Sequence, residues 1–432
     1  MTIGTTKTKL RITTAGVASL AMASLLLLAA GCGAATPTPV PTQTSEQATA
    51  VPTDTTAPAA DTPAASMTPA PLVTPTSEPV GTPVSSDSGW RQVGAADKRV
   101  QDLAAKGGSP VLAVGPDGTW LASSGPVGSA SGEGVQFDDY TNWQPLTAHV
   151  GGNLTTAAVG SPDVMYVTGH TGCLSGLPIT LLRTIDGGRT WQPVEGPAQP
   201  LEVAAVDATL AYGTTCTGVA RSGDAGATWA VLPGAGLENF DPREVVSSAD
   251  GKTLFVAYVS EGGSGRIQRS TDSGATWVEI TPNTAPGTQI TGPSNLTLVP
   301  GEGSQIGVLM TSYDGLWFLP PASNDWQLVS ATNPSAENPE QFTAVAGDTI
   351  SAGRVSAIYA AKATVTQGVR KGEGVFRSTD GGTSWEPFGS GLGETVINKL
   401  LLVPYNHTSP PPGSVLLAAT DNGIWLSGLS RP

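Results

Sequence analysis

Four short segments of this chain repeat one another almost residue for residue. They are Arg183-Thr-Ile-Asp186-Gly-Gly188-Arg-Thr-Trp191, Arg221-Ser-Gly-Asp224-Ala-Gly226-Ala-Thr-Trp229, Arg269-Ser-Thr-Asp272-Ser-Gly274-Ala-Thr-Trp277 and Arg377-Ser-Thr-Asp380-Gly-Gly382-Thr-Ser-Trp385. Self-similarity at this period restricts a chain to an array of like supersecondary units, each of which buries its apolar face against the next. The residue types give the local structure. An Asp carboxylate can accept N–H bonds from the turn that follows it. A Gly two residues later permits the positive φ of a tight turn. The Trp opens a new strand and supplies a large apolar anchor.

The tryptophans extend the count beyond the four complete copies. Seven short strands follow a Trp, at Trp90, Trp143, Trp191, Trp229, Trp277, Trp326 and Trp385, with spacings of 38 to 59 residues. The last repeat runs to Asp421-Asn-Gly-Ile-Trp425-Leu-Ser and has no outer strand of its own. The strand at Trp90 has no blade of its own, and Ser86-Asp87-Ser88-Gly89 before it looks like half a turn motif. The N-terminal strand is therefore expected to complete the C-terminal unit and remove the free edges of an open array. Apolar runs such as Val164–Thr168, Leu254–Tyr258 and Val415–Ala419 read as strands buried on both faces. Tyr166, Tyr212, Tyr258 and Tyr359 recur in these runs and are assigned to packing between units.

The four segments resemble the Asp-box, or BNR repeat. That motif is a hairpin joining the two outer strands of a propeller blade. The resemblance covers residues 86–432 and implies an all-β fold: a seven-bladed β-propeller of four-stranded antiparallel blades, its ring closed by the N-terminal strand. The group includes sialidases, sortilin-type receptor propellers, some endoglucanases and Ycf48/HCF136-type assembly factors. The motif specifies the hairpin and is nearly silent about activity, so function must come from a site. Asp186, Asp224, Asp272 and Asp380 are read as structural, together with Gly188, Gly226, Gly274, Gly382 and the Trp of each box.

A sialidase would bring an arginine cluster, a Tyr nucleophile and an acid/base Asp. No Arg here stands two residues before a Pro, as the first sialidase arginine does, and Arg183, Arg221, Arg269 and Arg377 belong to the repeat itself. No catalytic residue is therefore assigned. A platform with long loops on the face opposite the boxes is expected instead. The segments placed there are 124–133, 169–178, 260–265, 362–372 and 405–413, with Lys362, Arg370 and Lys371 as a small basic island.

The N-terminus reads as targeting sequence. Lys7, Lys9 and Arg11 precede an apolar stretch from Ala15 to Ala30, which ends in Leu28-Ala-Ala-Gly-Cys32. This resembles a bacterial lipobox, which implies a signal peptide over 1–31 and lipid attachment at Cys32. Residues 32–85 are rich in Thr, Pro, Ala and Ser and hold too little apolar surface to fold. Such a tether, at about 3.1 Å per residue, spans on the order of 100 Å. The expected location is the extracytoplasmic face of a bacterial membrane.

The remaining composition excludes more than it assigns. A formal charge of −14 offers no basic footprint for nucleic acid. After Cys32 only Cys173 and Cys216 remain, and an isolated pair in an exported chain is expected to form a disulfide between neighbouring repeats. His149, His170 and His407 are too scattered for a metal site, and no cofactor motif is present. Turn chemistry accounts for Asp138 and Asp139. The sequence thus points to non-catalytic binding of an envelope protein or glycan. A sialidase-like hydrolase and a Ycf48-type assembly factor are the alternatives.

Overall fold

The computed structural model describes residues 89–428 except 107–109, 123–125, 128–135, 138–139, 141, 147–153, 170–172, 174–179, 197–198, 238, 286–287, 334–335, 352 and 406–412. The expectations for residues 1–31, Cys32, the tether 32–85, Ser86 to Ser88, Asp138, Asp139, His149, His170 and His407 lie outside the described residues.

Each repeat forms one four-stranded antiparallel sheet, and there are seven. From the innermost strand outward, blade 1 is Asp102–Ala105, Val111–Gly115, Gly118–Ala122 and Gln144–Pro145. Blade 2 is Thr156–Val159, Met165–Gly169, Thr180–Thr184 and Gln192–Pro193. Blade 3 is Glu202–Ala205, Ala211–Thr215, Gly218–Ser222 and Ala230–Val231. Blade 4 is Phe240–Ser247, Leu254–Ser260, Gly265–Ser270 and Val278–Glu279. Blade 5 is Ser294–Pro300, Ile306–Ser312, Gly315–Leu319 and Gln327–Ala331. Blade 6 is Glu340–Gly347, Ile358–Thr366, Val369–Ser378 and Glu386–Pro387. Blade 7 is Ile397–Tyr405, Gly413–Thr420, Gly423–Gly428 and, from the other end of the chain, Arg91–Gly94. The fold is therefore a seven-bladed all-β propeller.

The closing strand pairs Arg91 with Leu426 and Gln92 with Trp425. Trp90 just ahead of it is buried, and its indole N–H donates to the Phe388 carbonyl at 2.9 Å. Every outer strand begins one residue after one of the seven tryptophans read from the sequence. The core is divided among the seams. One apolar cluster fills each junction between consecutive blades, from blades 1 and 2 around to blades 7 and 1. The recurring tyrosines lie in these seams. Tyr166, Tyr212 and Tyr258 are wholly buried.

The topology corrects the assignment of loops to faces. In every blade the first-to-second and third-to-fourth connections leave on one side, and the second-to-third and blade-to-blade connections leave on the other. Segment 124–133 joins the third and fourth strands of blade 1, and 405–413 joins the first and second strands of blade 7. Both connections therefore share the side of the repeated turns, not the opposite one. The repeat spacing around Trp143 is degenerate, and no turn motif marks the innermost strand Ile397–Tyr405 of the last repeat. The segment 362–372 is not an irregular loop. It lies within a long hairpin whose ladder runs to the pair Thr366 and Val369. Two of its three cations are paired, Lys362 with Glu340 and Lys371 with Glu394.

Candidate functional site

The four repeated turns share one hydrogen-bond scheme. In each, Asp Oδ1 accepts the hydroxyl of the residue two before it and the backbone N–H of the residue four after it. Oδ2 accepts the side-chain hydroxyl of that later residue at 2.6 Å in all four turns. The first hydroxyl in turn accepts the N–H of Gly188, Gly226, Gly274 or Gly382. Chiefly through the bonds from Thr190, Thr228, Thr276 and Ser384, the four carboxyls are held down to about 2. Trp229, Trp277 and Trp385 close the scheme by donating their indole N–H to the turn glycine's carbonyl. Both oxygens of each carboxylate are thus engaged inside their own turn.

Three of the four arginines ahead of the turns are engaged too. Arg183 of blade 2 donates to the Ala225 carbonyl in the turn of blade 3, at 2.9 Å. Arg269 of blade 4 donates to the Ser323 carbonyl in blade 5, at 2.8 Å. Arg377 pairs with Glu386 across its own blade. Arg183 and Arg269 thus tie neighbouring blades together, and the three do not converge. Cys173 and Cys216 are disulfide-bonded, with their Cα atoms 5.4 Å apart. The bond joins the second-to-third connections of blades 2 and 3.

The groups that do converge lie in the central channel, a cavity of about 1190 Å³ lined by the innermost strands. Lys399 of blade 7 places Nζ 3.4 Å from Glu244 Oε1 of blade 4 and 4.0 Å from Asp102 Oδ1 of blade 1. Their side chains keep only 14 to 21 % of their surface open. Asp102 Oδ2 also accepts the Ala157 N–H of blade 2, and Glu244 Oε2 accepts the Leu296 N–H of blade 5. Glu202 of blade 3 faces the same group, and among the described residues its carboxyl accepts no hydrogen bond. Burial pushes Asp102 and Glu244 above the usual carboxylate range, against the pull of Lys399. Glu202 stands well above that range, through burial and then repulsion by Glu244 and Asp102. Burial opposes the charge of Lys399, but the three carboxylates outweigh it and hold the ammonium above its ordinary range.

Asp102 and Glu202 open their innermost strands and Lys399 is third in its own, while Glu244, fifth in a longer strand, is level with Glu202 in the ladder; all four lie toward the end of the channel away from the repeated turns. Arg243, Arg370 and the half-exposed Tyr313 line that mouth. The deeper wall includes the apolar Ala104, Val246, Leu298 and Leu401. Among the described residues no group of acids, histidines or cysteines is arranged to hold a metal ion.

None of the four channel residues was singled out from the sequence. A signal existed, because the innermost strands carry a polar residue followed at once by an apolar one. The pairs are Asp102-Leu103, Glu202-Val203, Glu244-Val245, Asn295-Leu296, Gln341-Phe342 and Lys399-Leu400. The polar member of each lines the channel.

No family model and no curated protein matches the sequence. Solved structures match the fold. A GH74 xyloglucanase from Xanthomonas campestris is 18% identical over 80% of this chain and 55% of its own, with a TM-score of 0.54. Ycf48 bound to a D1 peptide is 16% identical over 79% of this chain and 97% of its own, with a TM-score of 0.51. Ycf48 from Cyanidioschyzon merolae is 15% identical over 79% and 98%, with a TM-score of 0.52. The chain thus spans about half the length of the xyloglucanase and nearly all of the Ycf48 chains. At these identities the likeness is one of fold.

Proposed function

We propose that this chain is a lipid-anchored extracytoplasmic protein, attached through Cys32, whose Asp-box propeller is a non-catalytic binding platform. The occupant is an envelope protein or a glycan, and it docks at the polar mouth of the channel. The observation that carries this reading is the engagement of the charged side chains. Asp102 and Glu244 are bonded to neighbouring backbone and flank Lys399, while Arg183 and Arg269 hold adjacent turns. These groups build the ring, and the mouth around Tyr313 and Arg370 is left open for a partner. The peptide held by one structural relative and the glycoside hydrolase activity named for another support these two classes of occupant.

One observation favours a second reading, a glycoside hydrolase. Burial and the neighbouring Glu244 and Asp102 hold the Glu202 carboxyl well above the usual carboxylate range. A general acid and its partner need that arrangement.

The test uses the full chain with sialosides, xyloglucan fragments and a panel of extended peptides. Retention is read by pull-down and products by mass spectrometry. Retention of one class with no new products supports the platform. Cleavage products that vanish in Glu202→Gln overturn it and make Glu202 the acid. Neither retention nor products from any class also counts against docking at the mouth.

A further inference from the structure

Every apolar seam of the ring joins blades that are neighbours in the chain, counting the closure of blade 7 onto blade 1. The contact between Lys399 and Glu244 does not. Blades 7 and 4 share no seam and lie as far apart as a seven-membered ring allows, yet Nζ and Oε1 are 3.4 Å apart. The two side chains meet across the channel. The second oxygens carry the link outward, because Glu244 Oε2 holds Leu296 of blade 5 and Asp102 Oδ2 holds Ala157 of blade 2. One ammonium is thereby coupled to blades 7, 1 and 4 directly and to blades 2 and 5 through backbone N–H groups. Blade 3 faces the same ammonium with Glu202.

We propose that Lys399 is a cross-channel strut: it holds the inner ends of the blades together, and with Glu244 it forms a floor beneath the polar mouth. The channel is then a cup at this end, so an occupant rests on the strut and does not thread the ring. The strut stands independently of whether the mouth binds or cleaves its occupant, and its test uses no ligand.

The charged groups around it are few. Blade 1 presents Asp102, blade 3 Glu202, blade 4 Glu244 and the exposed Arg243, while Glu261, Asp348 and Arg370 line the cavity from the connections at its rims and from the outer hairpin of blade 6. Blades 2, 5 and 6 present the uncharged Thr156, Asn295 and Gln341. Three carboxylates therefore depend on one buried cation. The pH consequence has a definite sign. Carboxyls whose folded pKa is raised favour the folded state in acid, and that contribution is lost as pH rises through the folded value. Lys399 offsets the loss, since an ammonium with a raised folded pKa contributes fully below its ordinary value. Without Lys399 the loss is steeper.

The experiment compares melting of the full chain in detergent for wild type, Lys399→Met, and Lys399→Met combined with Glu244→Met. Near pH 8 the single variant is expected to melt roughly 5–10 °C below wild type. The gap should shrink toward about pH 4, where the uncompensated carboxyls are protonated. The double variant should recover a substantial part of the gap, because it removes a stranded charge. A gap of the same size at every pH means that Lys399 acts by packing alone and overturns the proposal. So does a double variant no more stable than the single one. If Lys399→Met does not fold near neutral pH, refolding at about pH 4 or rescue by Glu244→Met supports the strut, and failure of both refutes it.

Discussion

The glycine that closes the repeated turn has two duties in blades 3, 4 and 6, and they can be separated residue by residue. Its φ lies in the left-handed region, at 77° for Gly226. The preceding position tolerates the same region without glycine, as Ala225 at 56° and Ser273 at 61° do. Conformation alone is therefore a moderate demand. Packing is the stricter one. A Cβ on Gly226 would lie 2.4 Å from Tyr166 Cε1, one on Gly274 2.4 Å from a Leu232 methyl, and one on Gly382 2.0 Å from a Val329 methyl. In each case the obstructing side chain belongs to the previous blade. Gly226→Ala is therefore expected to lower stability by about 2–4 kcal/mol, strain and overpacking together. Gly381→Ala, with φ of 75° and nothing within 4 Å of its Cβ, should cost roughly 1 kcal/mol or less. Urea denaturation of the two variants decides this, and equal losses would show that backbone strain dominates.

Among elements, the outer strands are the weakest. Blades 1, 2 and 6 end on two-residue strands whose second residue is a proline: Pro145, Pro193 and Pro387. Proline cannot donate to a ladder, and short edges of this kind resist pairing with another chain. Stability must then come from the inner strands and from links between blades. The disulfide is one such link, closing a separation of 43 residues between the outward connections of blades 2 and 3. Replacing Cys173 and Cys216 by serine should lower the unfolding free energy by about 3–4 kcal/mol if chain entropy sets the effect. Denaturation with and without reductant would check it: the wild type should lose as much on reduction as the double variant does by mutation, and the variant should ignore the reductant.

For the whole molecule, stability resides in the closure of the ring. An open array of seven blades would expose one seam and leave blade 7 with three strands. The strand Arg91–Gly94 prevents this, locked by Trp90 against Phe388 and Ser390 of blade 6. Deleting Trp90 to Val93 removes a buried indole and the outer ladder of blade 7 together. The expected result is a fall in Tm of roughly 10 °C or more and a broader transition, as blade 7 loosens before its neighbours. An unchanged melt would mean that blade 7 is held by its inner strands alone.

Much of this was legible in the sequence because it is local. The Asp, Gly and Trp of each turn interact within nine residues, so their spacing specified the hairpin, the blade count and the missing strand at each end. The disulfide partners could be named because only two candidates remained in the expected folded region. What the sequence left open depends on closure. Asp102, Glu202, Glu244 and Lys399 are separated by up to 297 residues, and each looks like an ordinary polar residue of a strand. Only a ring brings the starts of seven inner strands to one axis, where a lysine from the last blade can meet a glutamate from the fourth. Local chemistry thus determined the unit, and the geometry of a closed circle decided which charges share a site.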